Sequence, residues 1–203
     1  MSKILILLFF SLVFVFSIHT FTSINQDIGR HLRLGEIIWE TTSVPKTNLF
    51  SYTNPDFPFI NHHWLGEVFL YFGFLAVGLN GLIVLKALLI TVAFALAFFA
   101  AYKKEQIFPA IIAGLISIFI LIERTDVRPE ILSFLFLGWY LFVLFSYQEN
   151  ISPPKSWRRR ILWTLPAIQL VWVNTHIYFF LGPLIFILFV IGKLITVSPL
   201  LRS

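Results

Sequence analysis

The stretch from Trp64 to Gly78, WLGEVFLYFGFLAVG, decides how this chain would thread through a membrane. Its fifteen residues are mostly apolar, but a helix of that length at about 1.5 Å per residue reaches only about 22 Å. The hydrocarbon core of a bilayer is about 30 Å thick. We therefore predict that residues 64–78 form a half-inserted or interfacial helix that does not cross.

The apolar runs on either side of this stretch are mostly near the length of about 20 residues that a crossing requires. They cover residues 4–21, 81–101, 107–122, 129–147, 161–180 and 183–197. The composition agrees, with 58% hydrophobic and 12% charged residues, so lipid is the expected solvent. We expect a single integral membrane domain over residues 1–203, an all-α polytopic transmembrane helix bundle of six crossings with both termini in the cytoplasm.

The positive charges favour this topology over one in which residues 64–78 span. With six crossings, most cations lie on the cytoplasmic side, as the positive-inside rule requires: Lys3, Lys103, Lys104, Lys155, Arg158, Arg159, Arg160, Lys193 and Arg202. The net charge of +5 then orients helices against membrane lipids, and nucleic acid is excluded as a partner. The absence of Cys excludes disulfides and thiol chemistry.

Residues 22–80 become one long outer loop in this topology, and loops of that length usually carry function. Residues 27–42 predict an amphipathic helix. One face holds Ile28, Leu32, Gly35 and Trp39, flanked by Leu34 and Ile38, and the opposite face holds Arg33, Glu36 and Glu40. Such a helix would lie on the membrane surface. Residues 44–58 predict irregular structure, and Asn61 suits the N-cap of the helix that begins at Trp64.

Titratable side chains concentrate on the outer side. All five His residues lie there, as do all acidic residues except Glu105 and Glu149. This distribution indicates a reaction site at the outer membrane surface.

The order of these features resembles the N-terminal part of the GT-C superfamily of membrane glycosyltransferases. That superfamily includes protein O-mannosyltransferases, the bacterial aminoarabinose transferase that modifies lipid A, and uncharacterised bacterial relatives. Its members have a first transmembrane helix, a long outer loop that opens with an acidic residue, and a short amphipathic helix. The similar segments here are DIGRHLRLGEIIWETTSVP from Asp27, NHHWLGEVFLYFG from Asn61, RTDVRPE around Asp126 and WVNTH ending at His176.

The resemblance implies a GT-C-like fold whose long outer first loop contains amphipathic and juxtamembrane helices. It also implies an enzyme that transfers a sugar from a polyprenyl-phosphate-linked donor to an acceptor outside a bacterial-type cell membrane. It puts Asp27 where the family carries its catalytic acidic residue. Because it covers only the front of the family's usual length, the chain is read as a fragment or a truncated homologue.

Side-chain chemistry gives these residues roles in such a transfer. Asp27 suits the base that accepts the proton of the acceptor hydroxyl. Guanidinium and imidazolium groups suit the phosphate leaving group. The predicted substrate-binding residues are Arg30, His31, His63, Glu67, Asp126, Arg128 and His176.

Simpler structural roles remain open for the acidic residues. Asp27 could be only the N-cap of the helix over 27–42, worth about 1 kcal/mol. Asp126 and Arg128 could serve helix initiation and an ion pair.

His63 and Glu67, four residues apart, could bind a divalent cation with Asp27. A Glu favoured in the first helical turn by the dipole is the preferred explanation. Beyond that cation, the sequence predicts no cofactor.

Polar residues also lie inside the apolar runs, among them Lys86, Asn174 and His176. We expect Lys86 to snorkel outward rather than meet a donor phosphate. In the run 161–180, His176 is favoured as functional and Asn174 as a packing contact, because on a regular helix the two point about 200° apart. They could face one site only if the helix ends there.

The competing class of function is a non-catalytic membrane protein, either a polyprenyl-lipid transporter or flippase, or an assembly subunit. Helices interrupted by Gly or Pro in two related halves would be its signature. The sequence contains no such internal repeat.

Overall fold

The computed structural model describes residues 2–18, 27–102, 106–122, 126–148 and 160–197. Within these ranges the fold is all-α, as predicted, apart from one antiparallel bridge between Thr47 and Pro58. The helices are α1 (Ser2–Ser17), α2 (Asp27–Thr41), α3 (Trp64–Ala101), α4 (Ile107–Ile122), α5 (Glu130–Gln148), α6 (Thr164–Val173) and α7 (Leu181–Val197), with a 3-10 turn at Ile177–Phe180.

Most charges that carried the topology prediction lie outside the described residues, so the positive-inside argument stays a prediction. These are Lys103, Lys104, Glu105, Glu149, Lys155, Arg158, Arg159 and Arg202. The same holds for residues 19–26 of the predicted first span and outer loop.

Within the described ranges, three helices are long and apolar enough to cross a membrane: Trp64–Ala101, Glu130–Tyr147 and Ile177–Ile195. Three further apolar helices are shorter: Lys3–Ser17, Ile107–Ile118 and Arg160–Val173. The predicted run 161–180 is not one helix, because α6 ends at Val173. There the Asn174 side-chain amide donates to Leu170 O at 2.8 Å, and His176 adopts an extended backbone.

The helix α3 folds back on itself at Gly78, whose φ of 68° and ψ of −176° only glycine adopts without strain. In a straight helix Leu70 and Leu82 would lie about 18 Å apart. In this fold they pack in one buried cluster, so residues 64–77 and 79–101 form two limbs that meet at a corner. The predicted short helix over 64–78 is therefore the first limb.

The second limb of α3 packs against α1, α4 and α5, and α5 in turn packs against α6 and α7. Gly138 of α5 approaches it so closely that a β-carbon there would lie 2.6 Å from Ala93 O. At its far end Phe98 packs with Phe9 of α1 and Ile118 of α4. On the other side of α5, Trp172 of α6 is fully buried and donates to Ser133 Oγ at 2.8 Å.

The first limb of α3 is covered by α2. A β-carbon at Gly35 would lie 2.3 Å from Glu67 O, so the two helices pack backbone against backbone. The buried face of α2 contains Ile28 and Gly35 with their predicted neighbours Leu34 and Ile38, and it also contains His31, which is only 4% exposed. Trp39 is 57% exposed, and its indole packs against Phe72 of α3 with ring centres 4.7 Å apart.

Candidate functional site

Two groups of polar side chains meet where α2, the first limb of α3 and the start of α5 come together. We call Asp27, Asp126 and Arg128 the arginine cluster. We call His31, His63, Glu67 and His176 the imidazole cluster. A β-carbon on Gly66 would touch both Pro129 and Thr175, so the backbones that carry the two clusters are in close contact.

In the arginine cluster, Arg128 joins two acidic residues from different segments. Its Nη2 lies 3.1 Å from Asp27 Oδ2 in the first turn of α2, and its Nε lies 3.8 Å from Asp126 Oδ2. The Nε atom is buried and has no hydrogen-bond partner among the described residues. All three side chains are partly exposed, at 37% for Arg128, 43% for Asp27 and 27% for Asp126. A ligand could therefore reach the guanidinium.

Lys86 lies beside this cluster and not at the surface. Its side chain is buried at 1% exposure, near Arg128 and Pro129, where it interacts electrostatically with Asp126. The snorkelling prediction is therefore wrong. Leu70 of the first limb of α3 lies near Lys86, because the corner at Gly78 brings that limb back toward the second.

The imidazole cluster is built on a buried carboxylate. Glu67 is 0% exposed, and its Oε1 lies 3.0 Å from His31 Nδ1. Its other oxygen accepts a hydrogen bond from Asn61 Nδ2. A buried carboxylate requires such partners, because leaving it unpaired would cost several kcal/mol, on the order of 3–5.

The three imidazoles of the cluster come from three different segments. The ring centres of His31 and His63 lie 6.2 Å apart, and those of His63 and His176 lie 5.0 Å apart. His176 precedes the 3-10 turn, where its Nδ1 accepts from Tyr178 N and its ring packs edge-on against the Tyr178 ring at 4.5 Å.

Burial favours the neutral forms of His63 and His176. Burial lowers the pKa of His176 to about 4, and the neighbouring His63 and His31 act in the same direction. Burial also lowers the pKa of His63; Glu67 opposes this shift, while His31, Arg30 and His62 add to it.

The break after α6 brings His176 to the site. Asn174 O accepts from Leu65 N at 3.0 Å, and its Oδ1 accepts from Trp64 Nε1 at 3.0 Å. Asn174 is thus a packing contact, as predicted, although it holds the start of α3 and not a regular helix. Because α6 ends here, His176 and Asn174 both point toward the first turn of α3.

The structure brings the predicted site residues together in two places and not in one. Asp27, Asp126 and Arg128 meet, and so do His31, His63, Glu67 and His176. Arg30 lies near enough to His63 for its charge to act on that imidazole.

The described residues contain no set of side chains arranged to bind a metal ion. Among the residues that the structure describes, no group of three or more His, Asp or Glu could hold a metal ion. Glu67, for which cation binding with His63 and Asp27 was the less favoured alternative, pairs with His31 and Asn61.

Sequence reasoning missed the role of Asn61. It is not the N-cap of α3; that position belongs to His63, which makes no side-chain capping bond. Asn61 Oδ1 accepts from His63 N at 2.9 Å while its amide donates to Glu67. An Asn six residues before a buried Glu is the signal that could have indicated this pairing.

An apolar cavity of about 410 Å³ runs between the second limb of α3 and helices α4 and α5. Small residues open it, including Ala93, Ala97, Gly114 and Gly138. Ile90, one helical turn beyond Lys86, lines the end nearest the arginine cluster.

No family model, no curated protein and no solved structure matches this chain.

Proposed function

We propose that this chain is an integral membrane glycosyltransferase of the GT-C type, acting outside a cell membrane on a polyprenyl-phosphate-linked sugar. The observation that carries the proposal is the pairing of Asp27 with Arg128, a carboxylate and a guanidinium from distant segments, at a partly exposed position. A base and a phosphate ligand are the two groups that sugar transfer from a lipid phosphate requires.

In the proposed reaction the acceptor hydroxyl oxygen attacks the anomeric carbon of the sugar. The bond from that carbon to the phosphate oxygen breaks, and the electron pair leaves with the lipid phosphate. The hydroxyl proton passes to the Asp27 carboxylate. Arg128 holds the departing phosphate, because its planar guanidinium offers several donors to phosphate oxygens.

The ion pair also gives an order of events. While Arg128 is bound to Asp27, the carboxylate is a weaker proton acceptor than it would be alone. An arriving phosphate competes with Asp27 for the guanidinium and weakens that hold. The base thus becomes more active when the donor is bound, which limits wasted reaction with water.

The remaining features fit a lipid-borne donor. In the proposed arrangement the apolar helices form a polytopic bundle with six crossings, and residues 22–80 form the outer loop that carries Asp27. The apolar cavity begins near Lys86 and leads away along α3 and α5. A hydrocarbon chain could occupy it while the phosphate stays at Arg128.

Replacing Asp27 with Asn tests the proposal. The amide keeps the shape but removes the proton acceptor, so transfer of radiolabelled sugar from a polyprenyl phosphate donor in membranes should fall by roughly 10²-fold or more. Asp56→Asn is the matched control, because Asp56 is exposed in the loop before α3 and should leave transfer unchanged. Equal activity in both variants would eliminate Asp27 as the base.

A polyprenyl-lipid transporter is the second candidate, favoured by the broken helices at Gly78 and at residues 174–176. Discontinuous helices often form substrate sites in transporters. One assay distinguishes the glycosyltransferase from the transporter. A transporter would move lipid-linked sugar across vesicle membranes without forming a new glycosidic bond, and the Asp27→Asn variant would not change covalent transfer because none would occur.

A further inference from the structure

The imidazole cluster joins parts of the chain that are far apart in sequence. His31 belongs to α2, His63 is the N-cap of α3, and His176 lies in the segment 174–180 between α6 and α7. We call residues 174–180 the linker. Apart from the cluster, the hydrogen bonds of Asn174 to Trp64 and Leu65 hold the linker on α3.

The charged and titratable groups around the cluster are mostly potential cations. From α2, Arg30 and His31 face His63; from the start of α3, His62 and Glu67 do. His176 faces His63 and His31, with Tyr178 packed against its ring. Glu67 is the single acidic residue among these groups, and it already pairs with His31 and Asn61.

Among these groups only Glu67 could offset added protons, and both of its oxygens already have partners. Protonated His63 and His176, with ring centres 5.0 Å apart, would repel each other and Arg30 in a largely buried space. A solvated linker would relieve the repulsion, because water screens both charges.

We propose that the imidazole cluster is an acid-sensitive latch, which holds the linker on α2 and α3 while His63 and His176 are neutral and releases it when these two imidazoles are protonated. The latch does not depend on sugar transfer and would act in an enzyme or a transporter.

Proton linkage determines how docking of the linker changes with pH. The docked linker keeps His63 and His176 less basic than in water, with the pKa of His176 at about 4. A released linker restores the ordinary value of about 6.5, so release takes up protons. Docking is unaffected above pH 6.5 and weakens as the pH falls from about 6.5 toward 4.

The test uses the full chain in lipid nanodiscs and spin labels at Glu40→Cys and Phe180→Cys. Both positions are exposed, and the natural chain has no Cys, so labels attach only there. Pulsed electron resonance should give one narrow distance at pH 7.5 and a longer, broader one near pH 4.5. With two protons taken up, the ratio of released to docked linker rises up to about 100-fold per pH unit. A distance that stays unchanged down to pH 4 overturns the latch.

Substitutions at His63 and His176 distinguish protonation of these two imidazoles from other effects of low pH. His63→Gln with His176→Gln should keep the neutral-pH distance and lose the transition, whereas His62→Gln, at an exposed neighbour, should retain it. A transition that persists in the double variant also overturns the proposal. If that variant loses the neutral-pH distance, the single variants decide: each should show a slope of about tenfold per pH unit, and an unchanged slope in both contradicts the latch.

Discussion

Glu67→Ala should destabilise this protein far more than removal of an exposed glutamate, because Glu67 satisfies two buried donors. His31 Nδ1 lies 3.0 Å from one oxygen, Asn61 donates to the other, and the Glu67 side chain is 1% exposed. Each donor left unsatisfied in the interior costs about 1–3 kcal/mol. The cavity adds a smaller term, and relief of the buried charge offsets part of the sum. The expected loss is therefore about 3–5 kcal/mol.

The matched control is Glu36→Ala. Glu36 sits in α2 and pairs with Arg33, but those side chains are 31% and 57% exposed. Exposed pairs contribute about 0–1 kcal/mol, and the change of residue type is the same in both variants.

Thermal unfolding in one detergent, followed by circular dichroism, measures the difference. At about 2–4 °C per kcal/mol, Glu67→Ala should lower Tm by roughly 6–20 °C and Glu36→Ala by less than about 4 °C. Equal small shifts in the two variants would refute the view that a buried carboxylate organises the site.

Two glycine substitutions test the packing that positions the site. Gly78→Ala should lower the free energy of unfolding by about 1–3 kcal/mol, because an Ala there must adopt a φ of 68°. The control Gly29→Ala, on an open face of α2, should raise it by up to about 1 kcal/mol. Denaturant melts compare the two variants, and an undiminished stability of Gly78→Ala would mean that the corner does not need glycine. Gly35→Ala should lower the free energy of unfolding by about 1–3 kcal/mol, because the new methyl group meets the Glu67 backbone. The displaced helix should also expose His31 to modification by diethyl pyrocarbonate. Unchanged protection of His31 would contradict the close approach.

Both clusters of the candidate site depend on one structural feature, the corner of α3 at Gly78. The corner places Glu67 and His63 beside α2, and it buries Lys86 of the second limb next to Arg128. In a straight α3, Lys86 would lie about 28 Å beyond Glu67, since 19 residues separate the two at about 1.5 Å each. The candidate site therefore depends on one glycine conformation as much as on the polar residues.

The helices could be predicted from the sequence because their signals are local. Apolar runs and the amphipathic pattern after Asp27 depend on residues a few positions apart, and the observed bounds of α2, α4 and α5 follow them closely. The first limb of α3 was predicted to Gly78 for the same reason. The burial of His31 was not predicted, because it depends on the approach of α2 to Glu67 at Gly35 and not on the apolar periodicity.

The sequence by itself determined that this chain is helical and strongly apolar, and it singled out the acidic, imidazole and guanidinium side chains worth testing. Only the tertiary structure decided which of them meet: Arg128 with Asp27, His31 with Glu67 across 36 residues, and Trp64 with Asn174 across 110. It also decided that Lys86 is buried and that the run 161–180 breaks after Val173. The physical reason is range: helix formation depends on neighbours within a turn or two, whereas these pairings depend on how closely whole helices approach at a few glycines.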